Sequence, residues 1–311
     1  KMFLYNDYTT WVAKTFGHKI QKIAIDASFT CPNRDGTKAR GGCVFCDNKA
    51  FNPPYCSSKK SIRQQLEEGK LFFSTKGNAQ HYLAYFQAYS NTYAPLSRLR
   101  QLYEEALSVE GVDGIVIATR PDCVDNEILD YLQELNSQTF VEIEYGVESV
   151  NDDLLRRINR QHDFSCSREA ITATHQRGIT TGAHLIIGLP GQSREEILQE
   201  AETVSALDID ILKIHQLQVI RDTQLAKMYE FEPFHVLELD EYITLLAQFL
   251  RRVGCGIVIE RLVSTSPANR LVAPHWGVKA NEVALRLKEY MHEKGYHQGD
   301  LSTETLNRLC L

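Results

Sequence analysis

The sequence predicts an α/β fold: a partial (β/α)6 barrel of the TIM type with a C-terminal α/β extension. Three observations point there. Short apolar runs alternate with amphipathic helical patterns along most of the chain. The runs are mostly apolar throughout, as in the strands of a parallel sheet covered on its faces. After about residue 235 the alternation gives way to two helical stretches around one short strand.

Strands are expected over 22–26, 82–88, 114–118, 141–146, 184–188 and 211–215. Amphipathic helices fall between them, over 96–107, 126–135, 167–176 and 194–207. In the last of these, Ile197, Leu198, Ala201, Val204 and Leu207 recur at three- and four-residue steps, which is one face of a helix. Ser193 with Glu196 three residues later reads as a capping box. Right-handed crossovers curl about six such units into a full or partial barrel. Ligands of such folds sit at the C-terminal ends of the strands. Helices over 239–251 and 278–293 then flank a strand at 256–260. The expected division is a barrel with its leader and a cysteine loop over 1–235, and an extension packed on it over 236–311.

The 311 residues suffice for one large domain or two modest ones, and 43% hydrophobic content allows a sizeable core. A net charge of -6 gives no global attraction to nucleic acid, which leaves only a local basic patch to provide one. No apolar run is long enough to span a bilayer, and the first residues lack the apolar core of a secretory signal. The expected compartment is the cytoplasm, with no membrane partner. Eight cysteines stand at 31, 43, 46, 56, 123, 166, 255 and 310. A chain of this kind does not use them as disulfides. Five are scattered and read as small buried hydrophobes.

Cys31, Cys43 and Cys46 share one loop directly after the first strand, with eleven residues between the first two and two between the last two. Gly36, Gly41 and Gly42 let that backbone wrap around something bulky, and Asn33, Asp35 and Thr37 are turn formers. Phe45 between two thiols is placed to shield a cluster. Three thiolates can hold three irons of a [4Fe–4S] cube and leave the fourth iron open to a small molecule. A structural zinc site with Cys56 as fourth ligand is the alternative; unrelated buried thiols fit the glycine-rich setting poorly.

The loop resembles that of radical S-adenosylmethionine (SAM) enzymes, in a lengthened form. The stretches Cys31-Pro32-Asn33-Arg34-Asp35-Gly36 and Gly41-Gly42-Cys43-Val44-Phe45-Cys46 resemble the bacterial YhcC-like radical SAM family in particular. So do Tyr85-Phe86-Gln87-Ala88-Tyr89, Thr119-Arg120-Pro121-Asp122-Cys123, 157–163 and 184–191, and the likeness covers nearly the whole chain. More distantly, the barrel is similar to the radical SAM domain of the Elongator catalytic subunit and to oxygen-independent coproporphyrinogen oxidases. The resemblance implies a [4Fe–4S] cluster on Cys31, Cys43 and Cys46. It also implies SAM chelated to the open iron, and reductive cleavage to a 5′-deoxyadenosyl radical that takes a hydrogen from substrate. It implies a flavodoxin or ferredoxin as electron donor and favours tRNA wobble-base modification. A lyase acting on a free modified nucleobase such as queuine, and a non-catalytic iron–sulfur or zinc module, are the other readings.

Further residues acquire expectations from that resemblance. Tyr89, Ser90 and Asn91 follow the second strand, where the family meets the SAM amino group; an ordinary turn is the plainer reading. Arg120 after the third strand suits the SAM carboxylate, with Asp122 beside it, unless the two simply pair with each other. Glu144 and Glu148 share a face of the fourth strand if it runs straight, and two such carboxylates need partners, ribose hydroxyls or a nearby Arg. Relatives often carry Gln at the place of Glu148. Gly188 and Pro190 end the fifth strand, where glycine permits the close backbone approach that adenine recognition by main chain needs; a plain β-to-α turn is the alternative. Lys213 and His215, on one face of the sixth strand, are candidate catalytic acid–base groups or substrate contacts, with His184 and Gln218 near them; a satisfied structural histidine is the plainer reading. The basic stretch Arg156, Arg157, Arg160, His162 and Arg168 is either a phosphate-binding surface or a solvated face.

Overall fold

The structure, a computed structural model, describes residues 4–47, 52–74 and 80–302. Cys310 and the last residues of the extension, 303–311, lie outside the described residues. A seven-stranded sheet forms the frame, in the order β1 (Ile20–Ile25), β2 (His81–Phe86), β3 (Val112–Thr119), β4 (Phe140–Glu148), β5 (Thr180–Ile187), β6 (Ile211–Gln216) and β8 (Val258–Arg261). Every neighbouring pair is parallel. All six strands and the helices expected between them are present.

The strands alternate more strictly than their composition suggests. On β4, Val141, Ile143, Tyr145 and Val147 are fully buried on the helix side, while Glu142 and Glu144 point to the inside of the curl. Lys22 of β1 reaches Glu142 and Glu144 on β4 and Glu260 on β8, at 2.9–3.3 Å. One ammonium therefore touches the first, middle and last strands, which only a strongly curled sheet permits. The outer face buries a single large core beneath α2 (Ile62–Ser74), α3 (Leu96–Leu107), α4 (Asn126–Asn136), α6 (Phe164–His175), α7 (Arg194–Ser205), α9 (Leu239–Leu250) and α10 (Ala280–Lys294).

Helix starts follow local chemistry. At α7, Glu196 N donates to Ser193 Oγ (3.2 Å) and Ser193 N donates to Glu196 Oε2 (2.7 Å), so the expected capping box is made. Asp125 accepts from Ile128 N at the start of α4. Asp163 likewise caps α6, which starts a few residues before the expected 167.

The expected strand at 256–260 is β8, and it joins the barrel sheet beside β6, giving seven strands where six were expected. An open β6 edge would leave backbone N–H and C=O groups unpaired. The far edge of β8 is covered in turn, as Ile259 N donates to Asn6 O at 2.7 Å. Four helices were not anticipated: α1 (Tyr8–Phe16), α2, the six-residue α5 (Asp152–Arg157) and α8 (Gln224–Phe231). Nor was the antiparallel ribbon of β7 (Val219–Ile220) and β9 (Leu271–Ala273). Among the described residues no helix is long and apolar enough to cross a membrane.

Candidate active site

The C-terminal ends of the strands surround a cavity that, with its open mouth, encloses about 1240 Å³. Its rim is the cysteine loop, and Cys31, Cys43 and Cys46 all line it. The loop is held by its own polar groups. Gly42 N donates to Asn33 O (2.8 Å), and Asn159 Nδ2 donates to Gly42 O (2.8 Å). Val44 seats in a small apolar cluster with Leu154, Leu155, Ile158 and Leu225, so α5 and α8 form the floor under the loop. Gly41 and Gly42 sit at φ +89° and +83°, a region closed to most side chains. Asn33 Nδ2 and Arg160 Nη1 approach Cys43 Sγ at 3.6 and 3.5 Å. Donors aimed at a sulfur suit a thiolate.

Arg120 is buried in the cavity wall. Its Nε and Nη2 donate to Asp122 at 2.8 and 2.9 Å, and Nη2 also donates to Arg160 O at 2.7 Å. Burial works to raise the Asp122 carboxyl, but the Arg120 and Lys38 contacts outweigh it and hold it well below the usual range. The third guanidinium nitrogen, Nη1, is buried with no hydrogen-bond partner among the described residues, as is Nε of Arg160. An unmet buried donor on a charged group is costly. Among the described residues no acceptor meets it.

Deeper in the barrel the charges satisfy one another. Lys213 Nζ pairs with Glu144 and lies 3.0 Å from Glu260. His184 Nε2 lies 3.0 Å from Glu144 Oε2. Burial opposes ionisation of Glu144, but Lys213, Lys22 and His184 overcome it and keep the carboxylate charged. Burial, aided by Glu144 and Glu260, drives Glu142 the other way, well above the carboxylate range. His215 Nδ1 is 3.0 Å from Gln216 O, which can only accept, so that nitrogen carries the proton. Burial and the nearby Arg261 push the imidazole down to about 3. His215 is therefore a neutral ring at the cavity wall with Nε2 as an acceptor.

Residues 31–204 match the family model of the radical SAM superfamily, and residues 209–293 match the radical SAM C-terminal domain. The chain belongs to the radical SAM superfamily. It is 34% identical to protein YhcC of Escherichia coli over 91% of this chain and 91% of that protein. It is 26% identical to a tRNA uridine(34) acetyltransferase of Methanocaldococcus infernus over 58% of this chain and 33% of that protein. Its fold is similar to that of the archaeal Methanocaldococcus infernus Elp3 structure, with a TM-score of 0.65 and 18% identity, covering 90% of this chain and 64% of that one. The protein is a radical SAM enzyme whose cofactors are a [4Fe–4S] cluster and SAM.

The residues present fit those groups. Among the described residues, two clusters bring three metal-ligating atoms within 4.8 Å of one another, and the three cysteines are not one of them. A single zinc ion with Zn–S bonds of about 2.3 Å needs closer sulfurs than that, whereas a cube does not. The unpartnered Arg120 Nη1 meets the need of an anionic cofactor group.

Of the expected cofactor residues, Tyr89, Ser90, Arg120, Glu144 and Glu148 line the radical SAM cavity together with His215. Tyr89 and Glu148 hold φ of +65° and +67°, conformations that bulky residues keep only where surrounding structure demands them. The fourth strand is not straight: its register slips between Gly146 and Glu148. Asn91, Asp122, Gly188, Pro190 and Lys213 are not among the lining residues. Asn91 Nδ2 braces Ala118 O (2.8 Å), and Asp122 positions Arg120. Gly188 packs toward Leu237, and Pro190 O accepts from Arg157. Lys213 is committed to two carboxylates. Cys123 is buried outside the lining.

The basic stretch does not form one face. Arg156 pairs with Asp153, Arg157 holds Pro190, and Arg160 turns into the cavity. Arg34, Arg160 and Arg261 are lining residues that the sequence did not single out as such. For Arg160 the signal was its place in the resembled stretch 157–163. Arg261 stands in a second basic run with Arg251, Arg252, Arg270 and Lys279, which reads as a phosphate-binding or solvated surface and not as cavity wall, because β8 was not expected to join the sheet.

Proposed function

We propose that this radical SAM enzyme acts in tRNA wobble-base modification, with Cys31, Cys43 and Cys46 as the three cluster ligands. When bound, the cluster and SAM supply a 5′-deoxyadenosyl radical by one-electron cleavage of the sulfonium. The chain's own groups bind and orient. Arg120 Nη1 donates to the SAM carboxylate, held in aim by Asp122, which Lys38 grips from outside at 2.6 Å. Tyr89 and Ser90 would hold the amino group of bound SAM, and Glu148 would accept from its ribose hydroxyls. His215 Nε2 accepts a hydrogen bond from substrate, while Lys213 and His184 hold Glu144 charged beneath it. A flavodoxin or ferredoxin donates the electron, in the cytoplasm. The barrel, within 1–235, carries this chemistry, and the extension, 236–311, lends β8 to it and packs on it through its described residues, 236–302.

The cofactor half rests on one observation, the buried unpaired Arg120 Nη1 in a cavity rimmed by three cysteines. Likeness to an archaeal tRNA uridine(34) acetyltransferase supports the substrate half. One observation favours a second reading, a lyase acting on a free modified nucleobase such as queuine: the dispersed basic stretch offers no phosphate-binding face.

The test of substrate is nucleoside mass spectrometry of total tRNA from a strain lacking the gene, beside its parent. Loss of a wobble uridine derivative with build-up of its precursor supports the first reading. A change in 7-deazaguanosines supports the second, and an unchanged profile refutes both. Cys43→Ala is expected to lose the cluster absorbance and EPR signal of the reconstituted protein; an intact signal would remove Cys43 from the ligand set.

A further inference from the structure

At the end of the sheet opposite the cavity, three side chains with metal-ligating atoms converge. His18 lies two residues before β1, His81 is the first residue of β2 and Asp113 the second of β3. The parallel register sets Ile20 beside His81 and Tyr82 beside Val112, so the starts of three adjacent strands bring the side chains together. Asp113 Oδ2 lies 3.0 Å from His18 Nε2 and 2.9 Å from His81 Nδ1. The two imidazoles stack with centroids 3.8 Å apart and planes 32° from parallel. All three ligand atoms fall within 4.8 Å of one another.

We propose that His18, His81 and Asp113 form a site for one zinc-class divalent cation. Two imidazole nitrogens and a carboxylate oxygen are the donor set that such ions take. A tetrahedral ion with bonds of about 2.0–2.1 Å sets its ligands roughly 3.3 Å apart, so the observed spacings need to open only slightly. Both ring nitrogens face the same oxygen, and an ion takes the place of the two N–H groups now crowded there. Each ring proton then sits on its other nitrogen, so both imidazoles stay neutral, and the Asp113 carboxylate offsets one of the two positive charges of the ion at a solvent-accessible place. The side chains are 38%, 42% and 27% exposed, which provides an entry path and room for water as a further ligand.

The second cluster of this kind among the described residues, Glu142, Glu144 and Glu260, already holds the ammonium groups of Lys22 and Lys213. Among the described residues no lysine or arginine pairs with the histidine cluster. A bound ion ties together the N-terminal ends of β1, β2 and β3, at the end of the sheet opposite the cavity.

The test uses holoenzyme with its iron–sulfur cluster intact, titrated with Zn²⁺ by calorimetry and by thermal unfolding. The wild type is expected to bind one equivalent that His18→Ala and Asp113→Asn lose. Removing even an outer-shell partner of a metal costs about 10–100-fold in affinity, so loss of a ligand should weaken this equivalent by at least that much. Zn²⁺ should raise the unfolding temperature of the wild type but not of the variants. SAM cleavage by the variants, unchanged without Zn²⁺, shows that they are folded. No equivalent bound by the wild type, or the same equivalent and affinity in both variants, would overturn the site.

Discussion

Lys22 shows how a single residue becomes indispensable through its surroundings. Its ammonium lies 3.3 Å from Glu142, 3.1 Å from Glu144 and 2.9 Å from Glu260, and it is almost wholly enclosed. Burial alone would lower its pKa, but the three carboxylates raise it well above the ordinary lysine value. Removing one partner of a buried ionic group leaves the other charges uncompensated, at about 3–5 kcal/mol. Lys22→Met is expected to lower the unfolding free energy measured in urea by that order, and adding Glu260→Gln, which removes the facing carboxylate of β8, to recover part of it. A neutral Lys22→Met would mean that the network is solvated in solution. The same residue was legible only as part of a strand, because nothing local to 20–25 announces carboxylates from β4 and β8.

Elements meet closely where glycine allows it. Gly69 on α2 lies against β1, and a Cβ there would stand 2.3 Å from Ile23 Cγ2 and 3.1 Å from Tyr55 Cε2. Two effects compete in Gly69→Ala. Helix propensity favours alanine by about 1 kcal/mol. Overpacking a filled core costs roughly 1–3 kcal/mol. Ile23 and Tyr55 are both buried and cannot step aside freely, so a net loss of about 1–2 kcal/mol is expected in chemical denaturation. A variant as stable as the wild type would show that α2 can move off the sheet. Helix α7 was readable in advance down to its capping box, since that signal is local. Helices α5 and α8 were not: each is short and owes its place to the cysteine loop above it.

Across the molecule, Glu200 couples the loops that follow β4 and β5. Its carboxyl accepts from Ser149 Oγ (2.6 Å), Val150 N (2.8 Å) and Gln192 Nε2 (3.1 Å). Burial raises its pKa to about 7 despite those hydrogen bonds. A folded-state pKa above the unfolded value means that the native state binds the extra proton. The contribution to stability is then complete below about pH 4.5 and is lost as pH rises through about 7. Its full size is roughly 3 kcal/mol. Glu200→Gln should flatten the difference in urea midpoint between pH 5 and pH 8 relative to the wild type. An unchanged pH dependence would show that Glu200 stays ionised when folded.

By itself the sequence determined what depends on near neighbours in the chain. Periodicity set the six strands and the longer helices, turn residues and glycines marked the cysteine loop, and its three thiols pointed to the cluster chemistry that family membership carries. Which side chains face the cavity was decided only by the tertiary structure. Strand curl and register bring Lys22, Glu144, Lys213 and Glu260 together from four strands, and β8 adds Arg261 from the far end of the chain. Chain-distant charges meet only after the sheet has closed around them, so no local pattern could have announced that Lys213 is spent on Glu144 while His215 stays neutral at the wall.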